Sequence, residues 1–576
     1  MAPAPHSAGV TVLTRRPIRR RSGGDASRLG GLHPLLARIY AGRGVARPED
    51  CDTALGGLLP VGGLSGVEAA AGLVKSHLDR GQRILVIGDF DADGATSTAL
   101  LVRVLGGLGA DVGYMVPDRA RHGYGLSPGL VEEALQREPA LIVTVDSGIN
   151  CHPGIEMARR HGVRVLVTDH HLPGEALPPA DAILNPNLPD SGFASPHLAG
   201  VGVAFYLAAA VLRAAGGDPR QAAGHLDLVA LGTVADLVRL DRNNRILVSQ
   251  GLRRIRSGAG VPGVTALLTA GGRDPGAAVA ADLAFAAGPR LNAAGRLDDM
   301  SLGIECLLAD DPGRAAELAS ALGSLNEERK QLEGQMQEEA LAAVKDLAPS
   351  AGKLPPVLCV YRQGWHQGVV GLVASRLKER FHRPVVAFAD DGEGGLKGSA
   401  RSVPGLHIRD LLAAVDARRP GLVSRFGGHA MAAGLTLAPG ALKAFAQALQ
   451  EESARWVDDA DFSGTIWSDG ELSDEEFSLE TAELLRGAGP WGQGFPEPVF
   501  DGRFQLLDAR VVGSHHLKMR LRPAAGRRIV DAIAFRQADR LAGPRPGEVH
   551  CAYRLDVNDY GGIRSPQLVV EYFEAV

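Results

Sequence analysis

Three apolar runs in the first third of the chain each lead into acidic residues. Residues 84–87 precede Gly88-Asp89-Phe90-Asp91-Ala92-Asp93-Gly94, residues 141–145 precede Asp146-Ser147-Gly148, and residues 165–167 lead into Asp169-His170-His171. Short β-branched and aliphatic runs bounded by Gly and Asp are typical of strands buried on both faces of a parallel sheet. Because ligands of open α/β sheets bind beyond the carboxyl ends of the strands, we expect these carboxylates and imidazoles to converge. The sequence therefore predicts a di-metal site at the edge of an α/β domain.

Helical patterns alternate with these apolar runs. Residues 96–108, 127–136 and 152–161 have the composition of helices, and Ser127 followed by a proline is a typical helix start. Strands and helices that alternate in this way predict right-handed parallel crossovers and a doubly wound sheet. A further apolar stretch at helical spacing, residues 226–238, contains Asp236.

The length of the chain, 576 residues, exceeds what a single hydrophobic core can serve. Residues 315–347 are rich in helix formers and lack proline, which predicts a long connecting helix. A second α/β pattern follows, and the last part has short strands with Gly- and Pro-rich turns, which predict a small β-barrel. We expect an N-terminal extension at 1–60, a metal-binding domain at 61–310, the connecting helix at 311–350, a smaller α/β domain at 351–458 and the barrel at 459–576.

The bulk composition restricts the function only weakly. The net charge of −5 gives no global sign of a polyanionic partner, so any such site must be local. The five cysteines lack zinc or disulfide spacing, which fits reduced thiols. No apolar stretch reaches the roughly 18 to 20 residues that span a bilayer, and the chain does not start with a signal-peptide pattern. We expect a cytoplasmic protein without a membrane partner, whose basic segment at 14–21 is a solvated tail.

The carboxylates of the first acidic loop indicate hard divalent cations. Asp91 and Asp93 are two residues apart, so on an extended backbone they face the same way, and Asp89 extends the set. Oxygen ligands suit Mg²⁺ or Mn²⁺, and an imidazole from the Asp-His-His triplet favours Mn²⁺. Asp146 is expected to bridge two cations about 3.5 to 4 Å apart, and Asp236 to complete the second site. Such a pair favours in-line phosphoryl displacement, which predicts phosphoester hydrolysis.

Each of these residues also has an ordinary structural alternative. An Asp at a strand end is usually a helix cap or a turn residue, and a His-His pair is often part of a surface loop. The combination is more specific than its members. Three acidic strand ends, a downstream Asp236, and glycines 94 and 148 that admit close backbone approach are hard to explain by turns alone.

The three acidic segments resemble the sequence pattern of the DHH phosphoesterase superfamily. Residues 226–236, 288–297 and 365–376 are similar to exonucleases of that superfamily that act on single-stranded DNA, and the resemblance covers most of residues 60–576. The resemblance implies metal ligation by Asp91, Asp93, Asp146, His170 and Asp236, with Asp89 and His171 close by. It further implies that Asp146, His170 and His171 are catalytic, that His171 meets the scissile phosphate, and that Asp169 orients a metal-bound histidine.

Gly-rich turns in the second α/β domain are candidate anion sites, because such turns expose backbone N–H groups. On the residues alone, Gly427-Gly428-His429 is equally compatible with a tight turn that carries a core histidine. The resemblance implies instead a turn that holds substrate phosphate in a DHH-associated domain. Ser399 and Arg401 are then further phosphate contacts.

Other candidate substrate contacts lie outside these turns. Guanidinium groups between two domains can hold phosphates in bidentate fashion. A glutamine at a helix start lies where the helix dipole favours an anion. The family resemblance implies a further segment that binds the DNA backbone and stacks on the bases. These predicted contacts are Arg119, Tyr124, Arg290, Asn292, Arg296 and Gln367.

The C-terminal barrel resembles an OB-fold, which commonly binds single strands through aromatic side chains and basic grooves. Trp491, Lys518 and Arg520 are the candidate contacts. Trp491 follows a proline and could equally fill the inside of the barrel.

By resemblance, the expected function is a metal-dependent exonuclease of DNA repair and recombination. It degrades single-stranded DNA from the 5′ end to mononucleotides with two divalent cations, Mn²⁺ before Mg²⁺. One alternative is a phosphodiesterase for short oligonucleotides or cyclic dinucleotides, against which the third domain argues. Another is a non-catalytic DNA clamp, which should lack metal ligands, whereas none is missing here. The resemblance also implies a monomer that works with a single-stranded-DNA-binding protein and a RecQ-type helicase.

Overall fold

The computed structural model describes residues 15–119, 121–347, 354–392, 394–456, 462–513, 515–541, 546–560 and 562–576. The chain divides into two compact units. The N-terminal unit comprises the described residues of 23–329 and 486–497, and the C-terminal unit comprises those of 15–22, 330–485 and 498–576. Residues 1–14 of the expected N-terminal extension and the expected domain limits at 350 and 458 lie outside the described residues.

The elements up to residue 347 are mostly helical. In chain order they are β1 (Ile18–Arg20), α1 (Pro34–Ala41), α2 (Val67–Asp79), β2 (Ile84–Ile87), α3 (Ala92–Gly107), β3 (Val112–Met115), α4 (Pro128–Leu135), β4 (Leu141–Val145), α5 (His152–Arg160), β5 (Arg164–Thr168), β6 (Ala182–Leu184), α6 (Gly200–Ala214), α7 (Leu226–Ala235), α8 (Arg242–Arg256), α9 (Pro262–Ala270), α10 (Ala280–Asp282), α11 (Gly288–Leu297), α12 (Ser301–Leu308) and α13 (Pro312–Leu347). A π-helix, Leu283–Ala287, joins α10 to α11.

The sheet of the N-terminal unit has the strand order β3-β2-β4-β5-β6, and all of its neighbouring strands are parallel. Strands β2 and β4 are buried along their whole length, as strands covered on both faces must be. Leu85, Ile142 and Val165 face a core that also contains residues of α4 and α5, while α6 packs against β4 and β5 on the sheet. The predicted doubly wound parallel fold is confirmed.

Helix α3 begins four residues earlier than the sequence predicted. The Asp91 side chain accepts hydrogen bonds from the backbone N–H groups of Asp93 and Gly94 and so caps the helix, which starts at Ala92. The expectation that Asp91 and Asp93 share an extended backbone is therefore wrong. Asp93 is the second residue of α3 and lies in its first turn.

The C-terminal unit contains a mixed sheet and a barrel. Its elements after α13 are β7 (Leu358–Tyr361), α14 (Val370–Phe381), β8 (Val385–Asp390), β9 (Leu396–Arg401), α15 (Ile408–Arg418), β10 (Val423–Gly428), β11 (Ala432–Leu437), α16 (Leu442–Ser453), β12 (Ile466–Ser468), α17 (Leu479–Gly487), β13 (Phe500–Val512), β14 (His516–Pro523), β15 (Val530–Ala534), β16 (Glu548–Tyr560) and β17 (Ile563–Ala575).

The mixed sheet has the order β10-β11-β9-β8-β7, in which only β7 and β8 are parallel. The last five strands close on themselves in the order β13-β14-β15-β17-β16, with β13 paired to β16. Only β15 and β17 run parallel in this barrel. The predicted smaller α/β fold and five-stranded barrel are confirmed.

The basic N-terminal segment is not a solvated tail over its described residues. Strand β1 pairs in parallel with β12, with Ile18 opposite Ile466. Arg16 Nε donates to the carbonyl of Gly464 at 2.8 Å, and Arg20 contacts the buried carboxylate of Asp501 at 3.1 Å. The segment is therefore an integral part of the C-terminal unit.

Among the described residues, no single helix is long and apolar enough to cross a membrane. One bent helix pair, Leu55–Gly63 with Val67–Asp79, has the necessary combined length and composition.

Candidate active site

Six acidic or imidazole side chains come from four different loops of the N-terminal unit. Asp89, Asp91 and Asp93 lie where β2 passes into α3, Asp146 follows β4, His170 follows β5, and Asp236 ends α7. The parallel order of β2, β4 and β5 places the first three loops at one edge of the sheet. The site therefore lies where the sequence predicted it.

His170 is at the centre of this group. Its Nε2 atom lies 3.1 Å from Asp146 Oδ1, 3.5 Å from Asp236 Oδ2 and 3.9 Å from Asp93 Oδ2. These carboxylates come from separate loops that lie far apart in the sequence. The structure brings all predicted metal ligands of this set together.

The side chains form three overlapping triads, each of which could hold a metal ion. Within each triad, the three ligand atoms lie within 4.8 Å of one another. Asp93, His170 and Asp236 form one triad, and Asp89, Asp91 and Asp146 form another. The third consists of Asp146, His170 and His171. Asp146 thus belongs to two triads, which is the position that a bridging carboxylate occupies in a two-metal site.

Four carboxyl groups of the cluster have raised pKa values, those of Asp89, Asp93, Asp146 and Asp236. Burial raises the pKa of Asp89, Asp146 and Asp236 well above the usual value, and neighbouring carboxylates raise it further. Burial and the charge of Asp91 raise the pKa of Asp93 to about 7. Carboxylates with raised pKa values gathered in a buried cleft are typical of functional sites rather than of turns.

Two further observations fit a divalent cation. Within the described part of the chain, the buried Oδ1 atom of Asp89 accepts no hydrogen bond, although buried carboxylate oxygens are normally satisfied. The donor set of carboxylates plus imidazole also matches Mn²⁺ or Mg²⁺ chemistry. The residues present therefore fit the predicted metal pair.

Asp146 has a backbone conformation that few residues other than glycine adopt. Its φ angle is 56°, and Gly148 two residues later has a φ of 114°. A Cβ atom on Gly200 would lie 2.7 Å from the Asp146 Cβ atom, so only glycine fits at the start of α6. The backbone N–H groups of Gly200 and Val201 in turn donate to the two carboxylate oxygens of Asp93 at 2.6 and 2.9 Å.

Asp169 contacts His171 rather than the central imidazole of His170. Its Oδ1 atom lies 2.8 Å from His171 Nδ1, and its Oδ2 atom accepts from the Ile149 N–H. Although burial acts against the charged ring, this hydrogen bond and the charge of Asp169 raise the pKa of His171 to about 9. The Tyr124 hydroxyl lies 3.0 Å from the Asp146 carbonyl and 3.1 Å from His171 Nδ1.

Arg119 and Asn292 lie against the first acidic loop. The Arg119 guanidinium stacks on the Phe90 ring at 3.7 Å, and its Nε donates to the Gly295 carbonyl at 3.0 Å. Asn292 Oδ1 accepts from the Ala92 N–H at 2.8 Å. Both residues thus hold backbone or ring atoms beside the metal ligands, and their contact with substrate stays a prediction.

Arg290 and Arg296 also belong to α11. Arg290 donates to the carbonyls of Ala286 and Ala270, both at 2.8 Å. Arg296 is half-buried in the last turn of the helix. Neither arginine belongs to the metal-ligand triads.

The predicted substrate residues of the C-terminal unit form two groups. Arg401 donates to the Ser399 hydroxyl at 2.9 Å, beneath the first turn of α14. Gly427 and Gly428 end β10, and Gly428 has a φ of 137°. His429 is exposed in the turn that follows, so it is not a core histidine.

Two residues lie elsewhere than the sequence indicated. Gln367 precedes the first residue of α14 by three positions, and its amide donates to the Asp390 carbonyl at 2.8 Å. Trp491 is not part of the barrel, since residues 486–497 belong to the N-terminal unit. There its ring stacks on Phe495 with a centroid distance of 5.2 Å. Lys518 and Arg520 do lie on the barrel, in β14.

Sequence reasoning missed Asn185 and Asn187, which follow β6. Asn187 Nδ2 donates to the His170 carbonyl at 2.6 Å, and Asn185 Nδ2 donates to the His171 carbonyl at 2.8 Å. The only available signal was the Asn-Pro pair at 185–186, which is typical of a turn. Strand β6 has three residues, too few to be recognised as the last strand of the sheet.

Comparison with known protein families agrees with this geometry. The family described as "DHH family, N-terminal domain" matches residues 83–233, the DHHA1 domain matches residues 354–454, and the RecJ OB domain matches residues 468–572. The fold and the site thus define the DHH class of proteins.

Individual relatives narrow this class. The single-stranded-DNA-specific exonuclease RecJ of Dickeya dadantii is 52% identical over 98% of this chain and 99% of its own length. The enzyme of the same name from Escherichia coli is 52% identical over 96% of this chain and 98% of its own length. The crystal structure of RecJ in complex with Mn²⁺ from Thermus thermophilus superposes with a TM-score of 0.81 at 33% identity, covering 97% of this chain and 80% of that one. The chain belongs to the RecJ family.

Proposed function

We propose that this protein is a metal-dependent exonuclease that hydrolyses single-stranded DNA from the 5′ end and releases 5′-mononucleotides. The observation that carries the proposal is the cluster in which Asp146 belongs to two overlapping ligand triads. The names of the RecJ relatives support single-stranded DNA as the substrate. The role that follows from this chemistry is in DNA repair and recombination.

The cofactors of this function are two divalent cations, with Mn²⁺ preferred over Mg²⁺. Crystal structures of the Thermus thermophilus relative contain Mn²⁺ in one case and Mg²⁺ in another, which supports either ion. Asp89 and Asp91 would hold one ion, Asp93, His170 and Asp236 would hold the other, and Asp146 would be shared between the two. Bound cations of this kind supply a nucleophilic water at neutral pH and stabilise charge on the phosphoryl oxygens.

The chain's own groups prepare the site for this reaction. The N–H groups at the start of α6 fix both carboxylate oxygens of Asp93, so the ligand keeps its orientation. In the metal-free site, the hydrogen bond and charge of Asp169 raise the pKa of His171 to about 9, which favours the protonated ring. A cationic His171 beside the ligands can bind the negatively charged scissile phosphate and supply a proton to it. The hydroxyl of Tyr124 holds the same ring in place.

The remaining substrate contacts follow from charge and exposure. We assign phosphate contacts to Arg290, Arg296, Ser399, Arg401 and the exposed turn at 427–429. Asn292 and Gln367 each use one amide atom on the backbone, and the remaining hydrogen-bonding capacity of their amides would contact substrate. Lys518 and Arg520 on the barrel would contact the sugar-phosphate backbone of the strand.

The biological setting completes the proposal. A cytoplasmic monomer that works with a single-stranded-DNA-binding protein and a RecQ-type helicase fits an enzyme that degrades unwound strands. We also propose the domain limits given by the sequence, with the metal site in residues 61–310 and the barrel within residues 459–576, except that residues 486–497 belong to the N-terminal unit. Matches of family descriptions to residues 83–233 and 468–572 support these limits.

An assay with end-labelled DNA tests the function. With Mn²⁺, the protein should release labelled mononucleotide from 5′-labelled single strands at once, but from 3′-labelled strands only at the end of digestion. Duplex DNA, or addition of a chelator, should abolish release. Faster turnover of a dinucleotide than of a long strand would favour the alternative phosphodiesterase.

Asp146→Asn tests the assignment of the site. Asn tolerates the left-handed backbone of this position, so the substitution removes the charge without adding strain. We expect at least a roughly 100-fold loss of Mn²⁺-dependent degradation, because a bridging ligand of both cations is weakened. Asp111→Asn, on the exposed residue before β3, serves as the matched control and should retain full activity. Unchanged activity of Asp146→Asn would show that the site assignment is wrong.

A further inference from the structure

The Asp-His-His loop is held by its backbone as well as by its side chains. The carbonyls of His170 and His171 accept hydrogen bonds from the side-chain amides of Asn187 and Asn185, at 2.6 and 2.8 Å. The Asn187 N–H also donates to the Asn185 side-chain oxygen at 2.7 Å. The two asparagines thus form one hydrogen-bonded unit with both histidines.

This unit is buried at Asn185 and half-buried at Asn187 and at both histidines. Asn185 is fully buried, and the proline between the two asparagines is buried as well. One residue upstream, the Asp169 N–H donates to the Leu184 carbonyl at 3.0 Å, so the loop after β5 runs alongside the loop after β6. A buried proline at this position further limits the conformations that the asparagine loop can adopt.

The ring nitrogen of a histidine lies at the far end of its side chain. A small rotation of the loop backbone therefore displaces this nitrogen by a larger distance. His170 Nε2 must stay within reach of Asp146, Asp236 and Asp93 together. Productive metal sites need their ligands within about 0.5 Å of the correct position. Residues that orient ligands typically change metal affinity by about 10 to 100-fold when they are removed.

We propose that Asn187 and Asn185 are positioning residues for the Asp-His-His loop, and that they pre-organise His170 for the divalent cations. The inference rests on the proposed metal-dependent function. It assigns a role to the loop after β6, which contributes no ligand of its own to the triads.

The test measures Mn²⁺ affinity of the full chain by electron paramagnetic resonance of the free ion. Asn187→Ala is expected to weaken Mn²⁺ binding by about 10 to 100-fold. Its thermal unfolding without metal should match the wild type, and kcat should recover at saturating Mn²⁺. Should Asn187→Ala fail to fold, Asn187→Asp keeps the shape of the side chain but cannot donate to the His170 carbonyl.

Asn150→Ala is the matched control. Asn150 is also a loop asparagine near this edge, but it binds the Leu172 carbonyl and the Gly174 N–H instead of the histidines. Its replacement should leave Mn²⁺ affinity unchanged. Wild-type affinity in the Asn187 variant, or an equal loss in both variants, would overturn the inference. If the wild type itself binds no Mn²⁺, the proposed function fails rather than this inference alone.

Discussion

Asp146 combines a charged side chain with a left-handed backbone at φ 56°. Aspartate, like asparagine, adopts this conformation with less strain than most residues other than glycine. Here Gly200 leaves room for the Asp146 side chain, because any larger residue would lie within 2.7 Å of it. The geometry aims one carboxylate at the point where two ligand triads overlap.

Substitution of Gly295 tests how closely α11 packs against the first acidic loop. A Cβ atom at this position would lie 1.7 Å from the Phe90 carbonyl oxygen. The alanine methyl group would clash with the backbone of Phe90, which no side-chain rotation can relieve. Gly295→Ala must therefore displace the loop that carries Asp89, Asp91 and Asp93. We expect a loss of about 1 to 3 kcal/mol in the free energy of unfolding, together with a loss of Mn²⁺-dependent activity.

Gly72→Ala is the control for this substitution. Gly72 lies in α2, is exposed, and has open space where the methyl group would lie. Its replacement should stabilise the protein by roughly 0.5 to 1 kcal/mol, because alanine is the better helix former. Equal activity of the Gly295 and Gly72 variants would contradict the close contact between α11 and the acidic loop.

At the scale of secondary structure, strand ends were predictable and packing partners were not. The apolar runs before Asp146 and Asp169 indicated strands whose carboxyl ends meet, and the structure places them so. The predicted start of α3 was wrong. The sequence predicted a helix from residue 96, whereas Asp91 caps a helix that begins at Ala92. The contact of Asn292 with Ala92 joins residues 200 positions apart and leaves no local pattern.

His382, at the end of α14, gives the C-terminal unit a pH-dependent stability. Burial, with the charges of Arg16 and Lys378, lowers the pKa of His382 to about 4. The ring in the unfolded chain has a pKa of about 6.5, so the unfolded state binds the proton more readily. The contribution of this residue is therefore complete above about pH 6.5 and is lost as the pH falls from there towards 4.

His382→Asn removes this dependence while it preserves the left-handed backbone, for which φ is 49°. When the pH falls from about 6.5 to 4, the variant should lose roughly 1 to 2 kcal/mol less of its free energy of unfolding than the wild type loses. This value is smaller than the full pKa shift would give, because the ring is only half-buried and solvent screens its charge. Denaturant titrations at both pH values measure the difference. The exposed His515→Asn is the control, and a variant curve that superimposes on the wild type at both pH values would refute the assignment.

At the scale of the whole molecule, Mn²⁺ should act as a stabilising ligand. Only the folded chain brings the ligands of the cluster together, so binding of the cation favours the folded state. At a concentration about 100 times the dissociation constant, one bound ion adds about 2.7 kcal/mol. Thermal unfolding with and without chelator should therefore show a higher Tm with Mn²⁺, and Asp146→Asn should reduce the shift. A Tm that does not respond to Mn²⁺ in the wild type would count against the metal site.

The two units also explain which long-range features escaped prediction. Trp491 was expected in the barrel from its place in the sequence, yet it stacks on Phe495 in the N-terminal unit. The basic segment at 14–21 was expected to be a solvated tail, yet its described residues, 15–21, join the C-terminal unit. In both cases the chain passes from one unit to the other, and the local amino-acid composition does not indicate where this happens.

Arg20 links the N-terminal strand to that unit. Its guanidinium group contacts Asp501, whose side chain is 7% exposed. Arg20→Ala should destabilise the C-terminal unit by about 1 to 2 kcal/mol, since a nearly buried carboxylate then loses its cation. Arg19→Ala, on the exposed neighbour in the same strand, should change the stability by less than about 0.5 kcal/mol. Chemical denaturation followed by the fluorescence of Trp467 on β12 distinguishes the two variants.

The parallel pairing of Ile18 with Ile466 has a consequence for biosynthesis. The ribosome completes one partner about 450 residues before the other, which at about 5 to 20 residues per second is roughly 20 to 90 seconds of elongation. During that interval the nascent amino terminus must wait without its neighbour while the metal-binding unit can already fold. The last unit to mature is therefore assembled from the first and the final stretches of the polypeptide.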